Sequence, residues 1–316
     1  MSDRAGATGP RGGGEPSRST TLAPLLGCGV ILVVVAVLVF AVFQWVRQRP
    51  RPEPRVVLPP NQCVATVGDV SYTMTPEQSK WAAVIVAESI RRGLPARAAS
   101  IALATAMQES SLRNLDHGDR DSVGLFQQRP SQGWGTVEQI MDPWYSSGKF
   151  YEHLVKVSGW QTGDINDVAQ KVQRSGVPDG YRKHVDNAKA LASALTGNSP
   201  GAFSCLNRDA PETAEPQIIT QIFATGLKGK VTLKRTGDQW TITAPSPQLM
   251  WAAVNLSLAT IDETPISHVS AGGQQWQHDG AALASWSDSS ASATLPADAA
   301  TLTVSSSTPQ PTETSS

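Results

Sequence analysis

Glu109 ends a stretch built almost wholly of small and apolar residues. Ala102, Ala106 and Glu109 are spaced i, i+4, i+7, so on a helix they share one face. A carboxyl group at the C-terminal end of such a face is partly desolvated and meets the negative end of the helix dipole. Both effects raise its pKa, and a general acid needs that rise to stay protonated near neutral pH. From helix geometry alone, an ordinary surface glutamate at a helix end is the simpler account. Asp116, Asp119 and Asp121 follow in a polar loop, where turn chemistry and solvation explain them better than catalysis does. The five histidines show no HxxxH spacing and Cys28, Cys63 and Cys205 form no CxxC pair. No zinc site is expected, and no other metal or cofactor.

Composition narrows the partners. The chain has 316 residues, a formal net charge of −1 and 17% charged residues. It has no basic stripe of the kind nucleic acid requires, so no nucleic-acid partner is expected. The length leaves room for more than one domain.

Residues 24–46 are apolar enough and long enough to predict a transmembrane helix. A cleaved signal peptide is the alternative, but the run is long and no A-x-A-like site follows it. Leu25-Leu26-Gly27-Cys28 looks like a lipobox, yet it precedes the apolar run instead of following it. A transporter is disfavoured by the single span and the lack of a ligand cluster. Arg4, Arg11 and Arg18 precede the span, while Arg47, Arg49, Arg51 and Arg55 follow it. The arginine count therefore does not favour an outside C-terminus. Cys63 and Cys205 do favour it: they bracket one domain as a disulfide would, and disulfides persist in oxidising compartments. With Cys28 in the membrane, they are each other's sensible partners.

The elements that must position Glu109 follow from local signals. Residues 1–23 read as a disordered cytoplasmic tail and residues 47–60 as a Pro/Arg linker. Residues 61–206 read as a compact α domain. Thr75-Pro76-Glu77-Gln78 is a capping box that opens a helix running to about Arg92, with Gly93 as its stop. Further helices are predicted over 95–112 and 148–157. Another carries Ile165, Val168, Ala169 and Val172, and a last one follows Pro178 with Val185, Ala188, Leu191 and Leu195 on one side. Residues 207–216 read as a second linker. Residues 217–305 read as a small α+β domain, with a hairpin at 230–243, a helix over 247–261 and strands near 266–269, 274–277 and 300–305. Trp240, Trp251, Trp276 and Trp286 are expected in its core. Residues 306–316 read as a disordered tail.

The residues after Glu109 add a second kind of argument. Glu109-Ser110 ends an Ala-rich helix, a polar loop follows, and Ser122-Val123-Gly124-Leu125-Phe126-Gln127 comes next. This ordered set resembles the soluble lytic transglycosylase and goose-type lysozyme superfamily, which pairs a catalytic Glu-Ser with a downstream Gly-Leu-Met-Gln. Phe126 stands where that motif has Met. Arg129-Pro130-Ser131-Gln132-Gly133-Trp134-Gly135 and Ala169-Gln170-Lys171-Val172-Gln173-Arg174-Ser175 resemble the membrane-anchored, lysozyme-like cell-wall proteins of actinobacteria. The resemblance covers roughly residues 75–195. It implies a lysozyme-like fold, peptidoglycan glycan strands as substrate, and Glu109 as acid/base. It implies Ser110, Gly124 and Gln127 at the substrate site. Tyr181 corresponds to a tyrosine near the catalytic Glu, although the Ala-Tyr-Asn-Ala-Gly surroundings of the family are absent.

A sugar cleft also needs aromatic platforms. Trp134, Trp144, Tyr145, Trp160 and Tyr181 are candidates, with core packing the commoner role for each. Trp134, between glycines and just past Gln127, is the best placed. A single strong carboxyl favours a lytic transglycosylase over a muramidase, which would need Asp116 or Asp121 as helper. A non-catalytic wall-binding or scaffold module of a cell-envelope or conjugation apparatus is the alternative, and the protein partner of the C-terminal domain is not identified.

Overall fold

The computed structural model describes residues 23–49, 58–209 and 217–304. The two expected tails and most of the two linkers lie outside the described residues. The chain divides into two compact units, Met1–Val57 and Leu58–Ser316.

In the first unit, helix α1 (Ala23–Gln48) has 26 residues. It is about 39 Å long at 1.5 Å per residue, more than the hydrocarbon core of a bilayer. Within it, Ile31–Gln48 has mean hydropathy 2.1 and none of it is buried. It is a helix long and apolar enough to cross a membrane. At its end the Arg49 guanidinium lies 3.6 Å from the centre of the Trp45 ring.

The second unit is α+β. It opens with strands β1 (Gln62–Val67) and β2 (Val70–Met74), a hairpin turning at Gly68-Asp69. Strand β3 (Phe203–Leu206) pairs with the other side of β1, giving the order β2-β1-β3. Cys63 lies directly opposite Cys205 in that register, and the two form a disulfide. Helices predominate among the elements of residues 61–206 as expected, and this sheet is an addition to the mostly helical reading. Its strands are four to six residues long, and β3 pairs with a segment far away in sequence.

Helix α2 (Pro76–Arg91) starts at the Thr75–Gln78 capping box, with both reciprocal hydrogen bonds formed. Helix α3 (Ala96–Ser110) is buried on every side from Ala98 to Met107. Its alanine-rich sequence lets neighbours approach all round, and α2, α5 (Pro143–Leu154), α6 (Ile165–Gln173) and α7 (Val185–Leu195) pack on it. Short helix α4 (Val137–Met141) precedes α5. α5 starts five residues earlier than expected, because Asp142 caps the Trp144 and Tyr145 amides and Pro143 takes the first helical position.

Helix α8 (Gln217–Gln221) runs into a π-turn, Ile222–Gly226. Then come β4 (Thr232–Thr236), β5 (Gln239–Thr243), α9 (Pro247–Leu258), β6 (Ile266–Ala271), β7 (Gln274–Gln277), β8 (Ser287–Asp288) and β9 (Ala299–Val304). The sheet is antiparallel, in the order β4-β5-β9-β6-β7-β8. Trp240, Trp251 and Trp276 are buried in the core and Trp286 packs against it.

The two segments read as separate domains share one hydrophobic core. The π-turn packs on α2, and α9 packs between α7 and the sheets. Buried polar groups are paired across the junction. Ser79 Oγ donates to the Ala259 carbonyl at 2.6 Å and Asn255 Nδ2 to that of Ala194 at 2.7 Å. Lys80 Nζ sits 2.7 Å from Asp262 and 2.9 Å from Glu263. Asn207, expected in a linker, is buried with its Nδ2 on the Ile261 carbonyl.

Candidate active site

α3 ends at Ser110 because Ser111 (φ 53°) and Leu112 (φ 57°) both turn left-handed. Glu109 therefore stands in the last turn, half-buried, with its carboxyl on a cavity of about 450 Å³. Burial pushes its pKa up from the ordinary value. Hydrogen bonds from Tyr181 and then from Gln173 pull it part of the way back. The Tyr181 hydroxyl donates to Glu109 Oε1 at 2.6 Å. Burial, and then the Glu109 charge, hold the Tyr181 phenol well above its usual value.

Tyr181 reaches this position through α6. Buried Asn166 on that helix donates from Nδ2 to the Pro178 carbonyl at 3.0 Å and accepts from the Tyr181 amide at 3.2 Å. Gln173, at the end of α6, donates to the Phe126 carbonyl at 2.8 Å and so ties the loop over 122–128 to the same helix. Gln173 was not among the residues expected at the site. Its sequence signals are its place in the Ala169–Ser175 stretch and its spacing four residues after the buried Ala169 on one helix.

The other expected residues divide into two groups. Gln127 lines the cavity, with φ 47° and its Nε2 donating to the His117 and Gly124 carbonyls at 3.3 Å. Trp134 lines it too, stacked on His153 with ring centres 4.3 Å apart. Ser110 and Gly124, by contrast, do not line it. Ser110 is buried, and its hydroxyl donates to the Leu125 carbonyl at 2.8 Å and accepts from the Arg113 amide. Gly124 has φ +79°, and a Cβ there would lie 2.9 Å from the Ile140 carbonyl. These two residues fix the loop that presents Gln127. Among the remaining aromatic candidates, Trp160 is core, Tyr145 donates to the Trp134 carbonyl, and Trp144 bonds Gln221.

The loop carboxylates also separate. Asp116 pairs with exposed His117. Asp121 accepts from the Ser131 amide at 2.8 Å and from Arg129 Nε at 2.7 Å, and these partners hold it far below the usual carboxylate range. It serves as a brace for the loop. Asp119, 93% exposed, is the one of the three on the cavity wall. Asp116 and Asp121, the residues expected to help a hydrolytic reaction, do not line this cavity.

Strain gathers here. Among the described residues, the non-glycine residues with positive φ are Ser111, Leu112, Arg120, Gln127 and Arg174. The first two lie two and three residues after Glu109, and the last three line its cavity. Left-handed backbone costs energy in such residues and is commonest where function requires it. Among the described residues no cluster of three or more His, Cys, Asp or Glu could hold a metal ion. The arrangement offers one carboxyl with a raised pKa, two neutral hydrogen-bonding side chains on it, and a polar cavity of about 450 Å³. The chain matches no protein-family model and no curated protein.

Proposed function

We propose that this chain is a membrane-anchored cell-wall enzyme that cuts the MurNAc–GlcNAc strand of peptidoglycan, as a lytic transglycosylase. The observation that supports this best is the Glu109 carboxyl: pushed up by burial, held by Tyr181 at 2.6 Å, and open to a polar cavity. The protonated acid gives its proton to the glycosidic oxygen as the anomeric C–O bond breaks. The leaving sugar departs with a hydroxyl. The carboxylate, now stabilised by Tyr181, takes the proton of the muramic 6-hydroxyl while that oxygen closes on the anomeric carbon. The product is a 1,6-anhydro sugar, and Glu109 is protonated again. A hydrolytic reading keeps support from Asp119 on the cavity wall, where it could orient a water. Helix α1 would anchor the chain, with the second unit outside the cell. The Cys63–Cys205 disulfide suits that oxidising side.

Mass spectrometry of muropeptides after digestion tests the reading. Anhydro-muramic ends are expected. Reducing ends would indicate the hydrolase, with Asp119→Asn then as damaging as Glu109→Gln. General acid–base catalysis contributes about 10²–10⁴ in rate, so Glu109→Gln should lose at least about a hundredfold. Full activity in that variant would overturn the assignment. Binding without any cleavage by the wild type would favour a wall-binding module.

A further inference from the structure

Beside the Glu109 cavity lies a second one of about 520 Å³. The two share Gln132, Trp134, Gln173 and Arg174 as wall residues, so they are neighbouring compartments of one groove. Their electrostatics differ. The first mixes signs, with the carboxylates of Glu109 and Asp119 beside Arg120, Arg129 and the shared Arg174. The second contains Lys156, Lys171 and Arg174, with His153, and no acidic residue. None of those three cationic side chains has a hydrogen-bond or ion-pair partner among the described residues. The nearby carboxylate, Glu152, is engaged elsewhere by Lys149 at 3.2 Å and Arg92 at 3.4 Å. His153 reports the resulting field: burial lowers its pKa, and the charges of Lys156, Lys149 and Arg174 lower it further against the opposing pull of Glu152. Arg174 is held in the left-handed region (φ 54°) at the end of α6, a costly backbone for an arginine. Like charges gathered in one concavity repel one another and attract a counter-ion.

We infer that this second compartment is an anion subsite, which takes a carboxylate or phosphate carried on the glycan strand whose scissile bond lies at Glu109. The inference rests on the Glu109 cavity being the glycan cleft. Muramic acid bears a peptide whose carboxylates are the first source of such an anion, and a phosphate ester on the sugar is the second. Either would accept charge-assisted hydrogen bonds from the Lys156, Lys171 and Arg174 side chains. Trp134, shared by both walls, would lie where the sugar passes from one compartment to the other.

The test is calorimetric binding to the full chain in detergent, carrying Glu109→Gln so that no ligand is cut. Four tetrasaccharides serve as probes: a neutral GlcNAc tetramer, a peptide-bearing muramic tetramer, the same with its peptide carboxyls amidated, and one bearing a phosphate instead of peptide. A charged ligand is expected to bind about tenfold tighter than the neutral one, by a margin that shrinks with added salt. The amidated probe identifies the peptide as the source if it loses that margin. The phosphate probe identifies the ester if it alone gains it. Lys156→Glu combined with Lys171→Glu should erase the margin, and neutral-tetramer binding by the same variant reports that it is folded. Equal binding of charged and neutral ligands, or a margin that survives the double variant, overturns the subsite and leaves the cleft standing. Failure of every tetrasaccharide to bind overturns the cleft itself.

Discussion

Opposed influences act on the Glu109 carboxyl: burial raises its pKa, and the Tyr181 hydroxyl, with Gln173 after it, lowers it by stabilising the charged form. Tyr181→Phe removes the larger of the two lowering hydrogen bonds and keeps the burial, so the pKa should rise further. A reaction that needs protonated Glu109 loses rate as pH climbs through that pKa. The alkaline limb of kcat/KM in Tyr181→Phe should therefore move to higher pH. The maximum should fall about tenfold as the carboxyl loses its anchor, and an unmoved limb would dissociate Tyr181 from the acid. Linkage gives a second expectation. The folded pKa of Glu109 lies above its unfolded value, so its stability contribution is complete below about pH 4.3 and is lost as pH rises through the folded pKa. Glu109→Gln should accordingly raise Tm at neutral pH, with the gain vanishing in acid.

At the scale of elements, the site is a junction between the end of α3 and the loop over 122–128. Ser110 holds the loop through Leu125, Gln173 holds it through Phe126, and the Gly124 amide donates to the Leu115 carbonyl at 2.6 Å. Gly124 and Gly133 both have φ +79°, but a Cβ meets the Ile140 carbonyl at the first and open space at the second. Gly133→Ala should therefore cost only backbone strain, about 1–2 kcal/mol. Gly124→Ala should cost more and should also lower activity, because the loop carrying Gln127 must shift. Urea midpoints of the two variants check this, and equal losses would contradict it.

At the scale of the molecule, residues 58–209 do not close their own core. The faces of α2 and α7 that meet the π-turn and α9 are apolar, and Ser79 and the Ala194 carbonyl are paired across the junction. A chain ending at Asp209 should therefore expose those faces and those buried polar groups. Loss of cooperative unfolding or aggregation is expected, and a stable two-state fragment would refute the shared core. The disulfide acts over the same scale. Cys63 and Cys205 are 142 residues apart, and a loop of that length contributes at most about 5 kcal/mol in the chain-entropy model. Cys63→Ser with Cys205→Ser should lower the unfolding midpoint sharply, yet leave Glu109 chemistry intact in the surviving folded fraction.

Local signals made part of this legible in the amino-acid sequence. The Thr75 capping box, the Ile165-Val168-Ala169-Val172 stripe, the 230–243 hairpin and the apolar run of α1 each depend on residues within a turn or two, and the structure contains them all. Glu109 at the end of a small-residue helical face was legible for the same reason. Other features required the whole chain. Nothing near β1 announces its pairing with β3, and nothing near 207 announces that the next segment packs back onto α2. Ser110 and Gln127 are both polar residues near Glu109, yet one hydroxyl turns inward to Leu125 while the other side chain lines the cavity. Asp119 and Asp121 are two residues apart, and only the distant Ser131 and Arg129 decide that Asp121 is a brace while Asp119 stays on the cavity wall. Periodicity and capping are properties of neighbouring residues, so sequence alone determined most of the helices and the place of Glu109 at the end of one of them. Burial and hydrogen-bond partnership are set by residues far away in the chain, so the tertiary structure alone decided which polar groups face the groove.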